Sequence, residues 1–371
     1  SKVALFQPKL VKAAGYPVEK HRVYTEDGYI LQIHRIPAGR RVARRSDDAG
    51  GKGKKTVLLL HGMMGSSGDF IIMGPERSLG YFLADAGYDV WLGNLRGTMY
   101  SSHSILKKNK PEFWEFSIQE HGMYDVPAII DKVLNVTALD KLMYIGYSMG
   151  STSFFTMLSE RPEYNDKLIA FIGLAPAVYM DNLRSLASLL LETTILRERG
   201  IVVIQSELLR NLISNICILK SIKEDFCVNI VSAIVGEDYE QNDLKIIPVY
   251  LNRLQPVSAR QLEHFGKIAI TGQFLKLGEN VSTPSPPYQL TNVRVPVSLL
   301  YGENDQLVEK SVMLRLAKDL KSIGVLDSVR PGCSWPKFNH IDFVFAKDVG
   351  ELLNKPLVRH IDEMYIKYAP V

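Results

Sequence analysis

Short apolar runs and amphipathic stretches alternate along the first half of the chain. Three runs have the unbroken apolar character of strands buried on both faces of a sheet: TVLLLHG, DVWLGNLRG and KLMYIGYS. The segments between them, such as MYDVPAIIDKVLN, have the spacing of helices. Strands that alternate with helices predict βαβ units, whose right-handed crossovers place helices on both faces of the sheet. The pattern therefore predicts an α/β fold with a mostly parallel central sheet.

The amino-terminal segment has a different pattern. The strand-like runs HRVYT and YILQIHRI flank the turn signal EDG, in which Gly28 can adopt a positive φ. This arrangement predicts a β-hairpin ahead of the parallel strands.

The alternation stops near residue 180 and resumes near Pro296. Between these points the spacing of the apolar residues is mainly helical, and afterwards VPVSLLYGEND and KSVMLRLAKDLKSIG restore the strand and helix pattern. We therefore predict a parallel-sheet core made of residues 1–180 and 294–371, interrupted by a helical insertion, or cap, at 181–293.

The composition is that of a globular chain with a large core, since 46% of its 371 residues are hydrophobic and 23% are charged. No apolar run reaches the roughly 18 residues of a spanning helix, so we do not expect an integral membrane protein. Positive charge is concentrated in segment 39–55, where seven Lys and Arg accompany two Asp. We interpret this basic segment as a solvated loop, with an anionic-surface contact or a protease processing site as alternatives. No second basic face accompanies it, so nucleic-acid binding is not expected.

Two N-x-[ST] sequons, at Asn135 and Asn280, are candidate glycosylation sites. The three cysteines, Cys217, Cys227 and Cys333, permit at most one internal disulfide. The sequons and the nearby cysteine pair together favour the secretory route. We therefore expect a secreted or lysosomal protein.

The stretch YIGYSMGSTSFF places a serine between two glycines where a predicted strand meets a predicted helix. Gly146 and Gly150 permit the close helix–strand packing of a strained bend, which would present the hydroxyl of Ser148 above the sheet. The positive end of the following helix would point at the same hydroxyl. The alternative is a glycine-rich turn with an incidental serine.

A serine hydroxyl becomes a good nucleophile when a base takes its proton. In a parallel sheet this base is expected in a loop beyond the carboxyl end of a late strand, and His340 in WPKFNHIDF lies in such a loop. His360 lies in the helix-like stretch LVRHIDEMY, where we expect a surface histidine. His340 is therefore the candidate base, with a histidine that merely packs its loop as the alternative.

The imidazole needs a carboxylate that fixes its tautomer. Asp305 ends the stretch VSLLYGEND, at the carboxyl end of a predicted buried strand. Glu303 and Asp342 are competitors, although Asp342 lies close enough to His340 to cap the next helix instead. The chain order Ser148, Asp305, His340 is the order typical of α/β-hydrolases.

The oxyanion of a tetrahedral intermediate needs amide donors. The backbone amide of Met149 follows the serine, and the loop after the first parallel strand, LLLHGMMGSS, offers the amide of Met63. The sequence contains no metal-ligand motif and no nucleotide fingerprint, so neither a metal nor another cofactor is expected.

Longer stretches of the sequence support this chemistry. They include AGYPVEKHRVYTEDGYILQIHRIP, LLLHGMMGSS, GYSMGST, YGENDQLV and FNHIDFVFAKDV. In these stretches, which extend over nearly the whole chain, the sequence resembles the acid lipases of the gastric and lysosomal type and their insect relatives.

The resemblance implies an α/β-hydrolase core with a helical cap, part of which is a lid over the site. It implies Ser148 as the nucleophile, with Asp305 and His340 completing a catalytic triad. It also implies that the amides of Met63 and Met149 bind the oxyanion.

The resemblance further implies a cap disulfide between Cys217 and Cys227, with Cys333 free. The sequence departs from the family pattern at several places. The usual GHSQG is GYSMG here, so that Tyr147 and Met149 replace polar neighbours of the serine. The usual PAGTS of the cap is replaced within PVSARQLEHFG, and the basic segment is atypical.

We therefore expect a serine hydrolase that cleaves carboxylic esters of neutral lipids, triacylglycerols or sterol esters, at a lipid–water interface. One alternative is a family member that binds or stores lipid without catalysis, and another is an esterase for small, hormone-like esters. The complete set of serine, aspartate and histidine favours catalysis over storage.

Overall fold

The computed structural model describes residues 7–40, 54–183, 203–204, 232, 235–243, 246, 249–250, 253–279 and 282–369. The predicted disulfide between Cys217 and Cys227, the sequon at Asn280 and most of the basic segment lie outside these residues. Asn135 is exposed, and its glycosylation stays a prediction.

Most strands of the described residues belong to one sheet. The strands are β1 Glu19–Tyr24, β2 Tyr29–Ile36, β3 Thr56–Leu60, β4 Asp89–Leu92, β5 Ser101–His103, β6 Leu142–Tyr147, β7 Leu168–Leu174, β8 Val203–Ile204, β9 Val257–Ser258, β10 Val297–Tyr301 and β11 Leu326–Pro331. The sheet has the order β1-β2-β4-β3-β6-β7-β10-β11, with β5 paired to β2. The pairs from β4 to β11 are parallel, whereas β2 pairs antiparallel with β1, β4 and β5. The predicted hairpin and the mostly parallel sheet are both confirmed.

The helices of the described residues lie mainly between the parallel strands. They are α1 Gln7–Ala13, α2 Leu79–Asp85, α3 Ile118–Glu120, α4 Val126–Thr137, α5 Met149–Glu160, α6 Ala259–Thr271, α7 Lys310–Ser322, α8 Asp342–Phe345 and α9 Lys355–Tyr368. A π-helical turn, His121–Asp125, joins α3 to α4.

The sheet is buried on both faces because alternate side chains of each strand enter different apolar layers. In β3, Leu58 and Leu60 belong to a layer that includes residues of α4, α5 and α7. The other side chains, Val57 and Leu59, belong to a layer that includes residues of α2 and α9. Helices therefore cover both faces, as the alternating sequence pattern predicts.

The residues predicted for the site follow the carboxyl ends of parallel strands. Met63 follows β3, Ser148 directly follows β6, and Asp305 follows β10. Because parallel strands end at one edge of the sheet, their following loops meet there.

The described residues between β7 and β10 include an antiparallel pair, β8 and β9, and the helix α6. Ser258 caps α6 reciprocally with Gln261, and Gly272 ends it with a φ of 65°. The bounds of the predicted cap, 181–293, stay a prediction.

Candidate active site

The bend between β6 and α5 holds Ser148 in a strained backbone conformation. Its φ is 51° and its ψ is −116°, a combination that residues other than glycine rarely adopt. A Cβ at Gly146 would lie 2.7 Å from the amide nitrogen of Ser151, and one at Gly150 would lie 2.3 Å from the carbonyl oxygen of Leu60. Both positions require glycine, which lets α5 pack tightly against the ends of β3 and β6.

The side chains of Ser148, His340 and Asp305 form a continuous hydrogen-bonded chain. Nε2 of His340 lies 2.9 Å from Oγ of Ser148, and Nδ1 lies 2.8 Å from Oδ2 of Asp305. All three residues are buried. A carboxylate at Nδ1 favours the tautomer in which Nε2 is free to accept the serine proton. The geometry is that of a hydroxyl nucleophile beside its base.

Asp305 is held by the backbone of its own turn. Its Oδ1 accepts hydrogen bonds from the amides of Leu307 at 2.9 Å and Val308 at 2.8 Å, which leaves Oδ2 for the imidazole. The competitor Glu303 instead forms an ion pair with Lys310 at 2.9 Å. Asp305 is therefore the carboxylate that the structure brings to the histidine.

Asp342, the other competitor, lies beside the histidine loop. Its Oδ2 accepts a hydrogen bond from the amide of Asn339 at 2.7 Å, and its carboxyl group interacts with that of Asp238. Asp238 in turn accepts a hydrogen bond from Nε1 of Trp335 at 2.6 Å. Burial raises the pKa of Asp342 to about 8, with a further contribution from Asp238, and burial also raises the pKa of Asp238. This buried pair therefore binds a proton more readily than an exposed aspartate does.

The loop that carries Met63 lies against the serine. A Cβ at Gly62 would lie 3.2 Å from the Cβ of Ser148. The amide of Met149 is the first N–H of α5, and such amides have no partner within their helix. The amides of Met63 and Met149 are the candidate oxyanion donors, and this role stays a prediction.

The same loop is stabilised by buried polar groups. Nε2 of His61 accepts a hydrogen bond from the amide of Leu95 at 3.2 Å, and burial lowers the pKa of His61 to about 4, so the ring is neutral. Ser66 and Asp69 cap the following 3₁₀ turn reciprocally. Burial raises the pKa of Asp69 to about 7. These contacts fix the turn that presents Met63.

Met149 connects the serine bend to the region of the predicted cap. Its side chain is buried in the apolar layer, where its sulfur lies 3.6 Å from Nε2 of Gln261 in α6. A helix that follows β9 thus contacts the residue next to Ser148.

A segment that contains none of the predicted site residues holds the aspartate and histidine loops together. We call residues 235–243 the clamp segment. The carbonyl of Val235 accepts hydrogen bonds from the amides of Gln306 at 3.3 Å and His340 at 3.4 Å. The side-chain amide of Asn339 donates to the carbonyl of Gly236 at 2.9 Å. No sequence pattern relates this segment to His340, because the contact joins distant parts of the chain.

The clamp segment approaches the aspartate loop closely at Gly236. This residue has a φ of 108°, and a Cβ there would lie 2.0 Å from the carbonyl oxygen of Asn304. The side-chain amide of Asn304 donates to the carbonyl of Glu237 at 2.8 Å. A glycine in a stretch with few apolar residues, VGEDYEQND, is the one local signal for such an approach.

His360 is not the surface histidine that the sequence predicts. Only 7% of it is exposed, and its Nε2 lies 2.8 Å from Oγ of Ser298 in β10. The neighbouring Ile361 and Met364 are buried, so His360 shares the face of α9 that packs on the sheet. Helical spacing alone did not show that this face is wide enough to include the histidine.

Within the described ranges, no group of three or more His, Cys, Asp or Glu could hold a metal ion. In the same residues Cys333 is a free thiol, and burial raises its pKa to about 11. A search of the described helices finds none with the length and apolar character needed to cross a bilayer.

Comparisons with known proteins agree with this geometry. A family model described as a partial alpha/beta-hydrolase lipase region matches residues 8–74, and an alpha/beta hydrolase fold model matches 55–188. The chain is 36% identical to Lipase 1 of Drosophila melanogaster, over 95% of this chain and 78% of that protein. It is 31% identical to gastric triacylglycerol lipase of Bos taurus, over 94% and 89%. The structure of a thermophilic esterase from Thermogutta terrifontis matches with a TM-score of 0.53 at 15% identity, over 94% and 98%. The predicted fold is confirmed.

Proposed function

The chain belongs to the lipase family of the α/β-hydrolase fold, and on this premise we propose that it hydrolyses carboxylic esters of neutral lipids. One relative is named a triacylglycerol lipase, which favours acylglycerols, with sterol esters as the second substrate class. We also propose a secreted or lysosomal location, which is supported by the name of one relative, a gastric lipase, and by the sequon at the exposed Asn135.

The observation that carries the proposal is a buried chain of two contacts. The hydroxyl of Ser148 lies 2.9 Å from the imidazole of His340, and the imidazole lies 2.8 Å from the carboxylate of Asp305. Such a chain activates a serine because the imidazole accepts the hydroxyl proton and the carboxylate stabilises the resulting imidazolium. A glycine-rich turn with an incidental serine has no need of a strained serine φ or of a buried histidine at its hydroxyl.

In the proposed mechanism, Oγ of Ser148 attacks the ester carbonyl carbon while Nε2 of His340 takes the hydroxyl proton. The oxyanion is bound by the amides of Met63 and Met149, and the positive end of α5 adds to this stabilisation. The imidazolium then gives its proton to the departing alcohol, which leaves an acyl group on the serine. A water molecule, deprotonated by the same nitrogen, attacks this acyl-enzyme, and the carboxylic acid leaves as the imidazolium returns the proton to Oγ of Ser148.

We propose that the region of α6 belongs to a cap over this site. The contact of Gln261 with the sulfur of Met149 supports this, because it places α6 next to the nucleophile bend. A cap of apolar helices would exclude water from the site and open at a lipid surface.

The test of the proposed chemistry is Ser148→Ala, measured on a fluorogenic ester. We expect a loss of roughly 10⁴–10⁶ in rate, as for other catalytic triads. Ser153→Ala is the matched control, because this buried helix serine only donates to the carbonyl of Met149. Undiminished turnover by Ser148→Ala would remove the serine from the mechanism.

The substrate class needs a separate comparison of emulsified and dissolved esters. A lipase gains activity when its long-chain ester forms an emulsion, whereas an esterase for small esters works best on dissolved substrate. A protein that binds lipid but hydrolyses neither substrate, and does not react with a fluorophosphonate, would fit the non-catalytic alternative instead.

A further inference from the structure

Tyr147, the last residue of β6, lies between two parts of the candidate site. Its hydroxyl donates a hydrogen bond to the backbone carbonyl of His340 at 3.0 Å. Its ring lies 5.4 Å from the imidazole ring, centroid to centroid, with an interplanar angle of 35°. On its other side, two ring carbons would lie 3.1 Å from a Cβ at Gly62. Tyr147 thus touches both the turn before Met63 and the histidine.

The environment keeps the phenol a hydrogen-bond donor. Only 6% of Tyr147 is exposed, and burial raises its pKa well above the ordinary value. The groups that face it are Tyr250, Asp69, Asp305 and Asp342, and each raises its pKa further. A neutral hydroxyl therefore remains bonded to the carbonyl over the whole pH range in which an imidazole can serve as a base.

This contact matters because both ring nitrogens of His340 already have partners. Nδ1 contacts Asp305 and Nε2 contacts Ser148, so neither nitrogen is free to bind a further anchoring group. The position of the ring therefore also depends on the position of the His340 backbone. The backbone amide of His340 makes a long bond of 3.4 Å to Val235, whereas the bond from Tyr147 to its carbonyl is 3.0 Å. The tyrosine hydroxyl is therefore the shorter of these two restraints on the histidine backbone.

The ring of Tyr147 has a second effect during turnover. When the imidazole takes the serine proton, a positive charge forms about 5.4 Å from the aromatic ring. Cations within about 6 Å of an aromatic face are attracted by its electron density. This attraction exists only after the proton has moved, so it would stabilise the transition state more than the ground state.

We propose that Tyr147 is a positioning residue for acyl transfer, whose hydroxyl fixes the backbone of His340 and whose ring supports the imidazolium. The proposal rests on the proposed function. Gly62 is part of the same arrangement, because a Cβ there would lie 3.1 Å from two carbons of the tyrosine ring and would push the ring aside.

The test uses Tyr147→Phe, which removes the hydroxyl, and Tyr147→Leu, which removes the ring as well. Tyr365→Phe is the matched control, because the buried hydroxyl of Tyr365 also donates to a backbone carbonyl. This carbonyl belongs to Thr56, the first residue of β3, at the end of the strand opposite to the site. On a soluble p-nitrophenyl ester we expect kcat to fall about tenfold for Tyr147→Phe and about 100-fold for Tyr147→Leu, since one hydrogen bond or ring contact corresponds to about tenfold in rate. The KM of each variant should stay within about twofold of wild type.

The split between kcat and stability separates positioning from a merely structural role. Tyr147→Phe and Tyr365→Phe should lower the melting temperature by similar amounts, while only the former lowers kcat and the rate of fluorophosphonate labelling. Wild-type kcat and labelling in a folded Tyr147→Phe would overturn the proposal.

Should that variant fail to fold, Tyr147→His would provide the test, because the shorter histidine side chain cannot carry a donor to the position of the phenol oxygen. Wild-type kcat in Tyr147→His would overturn the proposal, and a several-fold loss would support it. Failure of the proposed function itself would show separately, as an inactive wild type or an active Ser148→Ala.

Discussion

Two regions bring the candidate triad together, and they are held in different ways. The nucleophile bend depends on backbone contacts close to the serine, at Gly146 and Gly150. The histidine loop depends on the clamp segment and on Tyr147, which reach His340 from distant parts of the chain. The position of the nucleophile is therefore set by packing close to it in sequence, and the position of its base by contacts with residues far from it in sequence.

This difference predicts how each region responds to damage. The bend lies between the ends of two central strands and α5, so a perturbation there should reduce stability and activity together. The clamp segment packs on loops at the edge of the core, so a perturbation there should reduce activity more than stability. The same substitution, glycine to alanine, can be made in both regions.

The largest effect is expected for Gly150→Ala. The new methyl group would lie 2.3 Å from the carbonyl oxygen of Leu60, so α5 must move away from β3. We expect the free energy of unfolding to fall by about 3 kcal/mol, as for overpacked cores, and ester hydrolysis to fall at least about 100-fold. Denaturant unfolding and kcat on a soluble ester are the measurements.

Gly324→Ala is the control for Gly150→Ala. Its φ is 79°, but a Cβ there meets no atom within 4 Å, so it tests backbone strain without a steric clash. We expect it to cost about 1 kcal/mol and to leave activity unchanged. Equal effects of the two substitutions would contradict the account of the bend.

A smaller loss of activity and of stability is expected for Gly236→Ala in the clamp segment. The methyl group would lie 2.0 Å from the carbonyl oxygen of Asn304, which displaces the carbonyl of Val235 from the amide of His340. We expect kcat to fall about 10- to 100-fold, because the base is misplaced, while the free energy of unfolding falls by only about 1–2 kcal/mol. If stability were lost as strongly as in Gly150→Ala, the two regions would not differ as described.

The smallest effect concerns the pH dependence of stability, tested with Asp342→Asn. Because the pKa of Asp342 is raised to about 8 in the fold, the folded protein binds more protons than the unfolded chain above the ordinary pKa of aspartate. Its contribution to stability is complete at acid pH and is lost as the pH rises through about 8, by at most about 1.4 kcal/mol per pH unit. The variant should therefore lose less stability than wild type between pH 6.5 and 9.

The buried histidines do not affect the stability difference between pH 6.5 and 9. Burial lowers the pKa of five of them, so their contribution to stability is lost only as the pH falls below about 6.5: His34, His61, His121, His264 and His360. Thermal melts of both proteins at several pH values provide the measurement. Parallel pH profiles for wild type and variant would show that Asp342 is ionised in the fold.

What the sequence predicts well is local. The glycine spacing around Ser148, the turn at Gly28 and the apolar runs of the sheet each depend on contacts between neighbouring residues or on burial. The pairing of Ser148, Asp305 and His340 was predictable because each follows the end of a strand in a known type of sheet.

What the sequence did not predict depends on contacts between distant segments. The clamp segment, the pair of Asp238 and Asp342, and the bond from Tyr147 to His340 involve residues with no shared pattern. His360 was expected at the surface, since the width of the apolar face of α9 is set by the sheet on which it packs. Such packing becomes visible only in three dimensions.

The central claim is that Ser148 is a nucleophile activated by His340 and Asp305, and covalent labelling tests it most directly. Wild-type protein and a His340→Ala variant would be treated with a fluorophosphonate, digested and mapped by mass spectrometry. We expect one rapid adduct on Ser148 in wild type, none on the nearby Ser151, whose hydroxyl donates to the carbonyl of Gly146, and labelling slowed at least about 1000-fold in the variant. An adduct on a different residue, or equally rapid labelling without His340, would contradict the account.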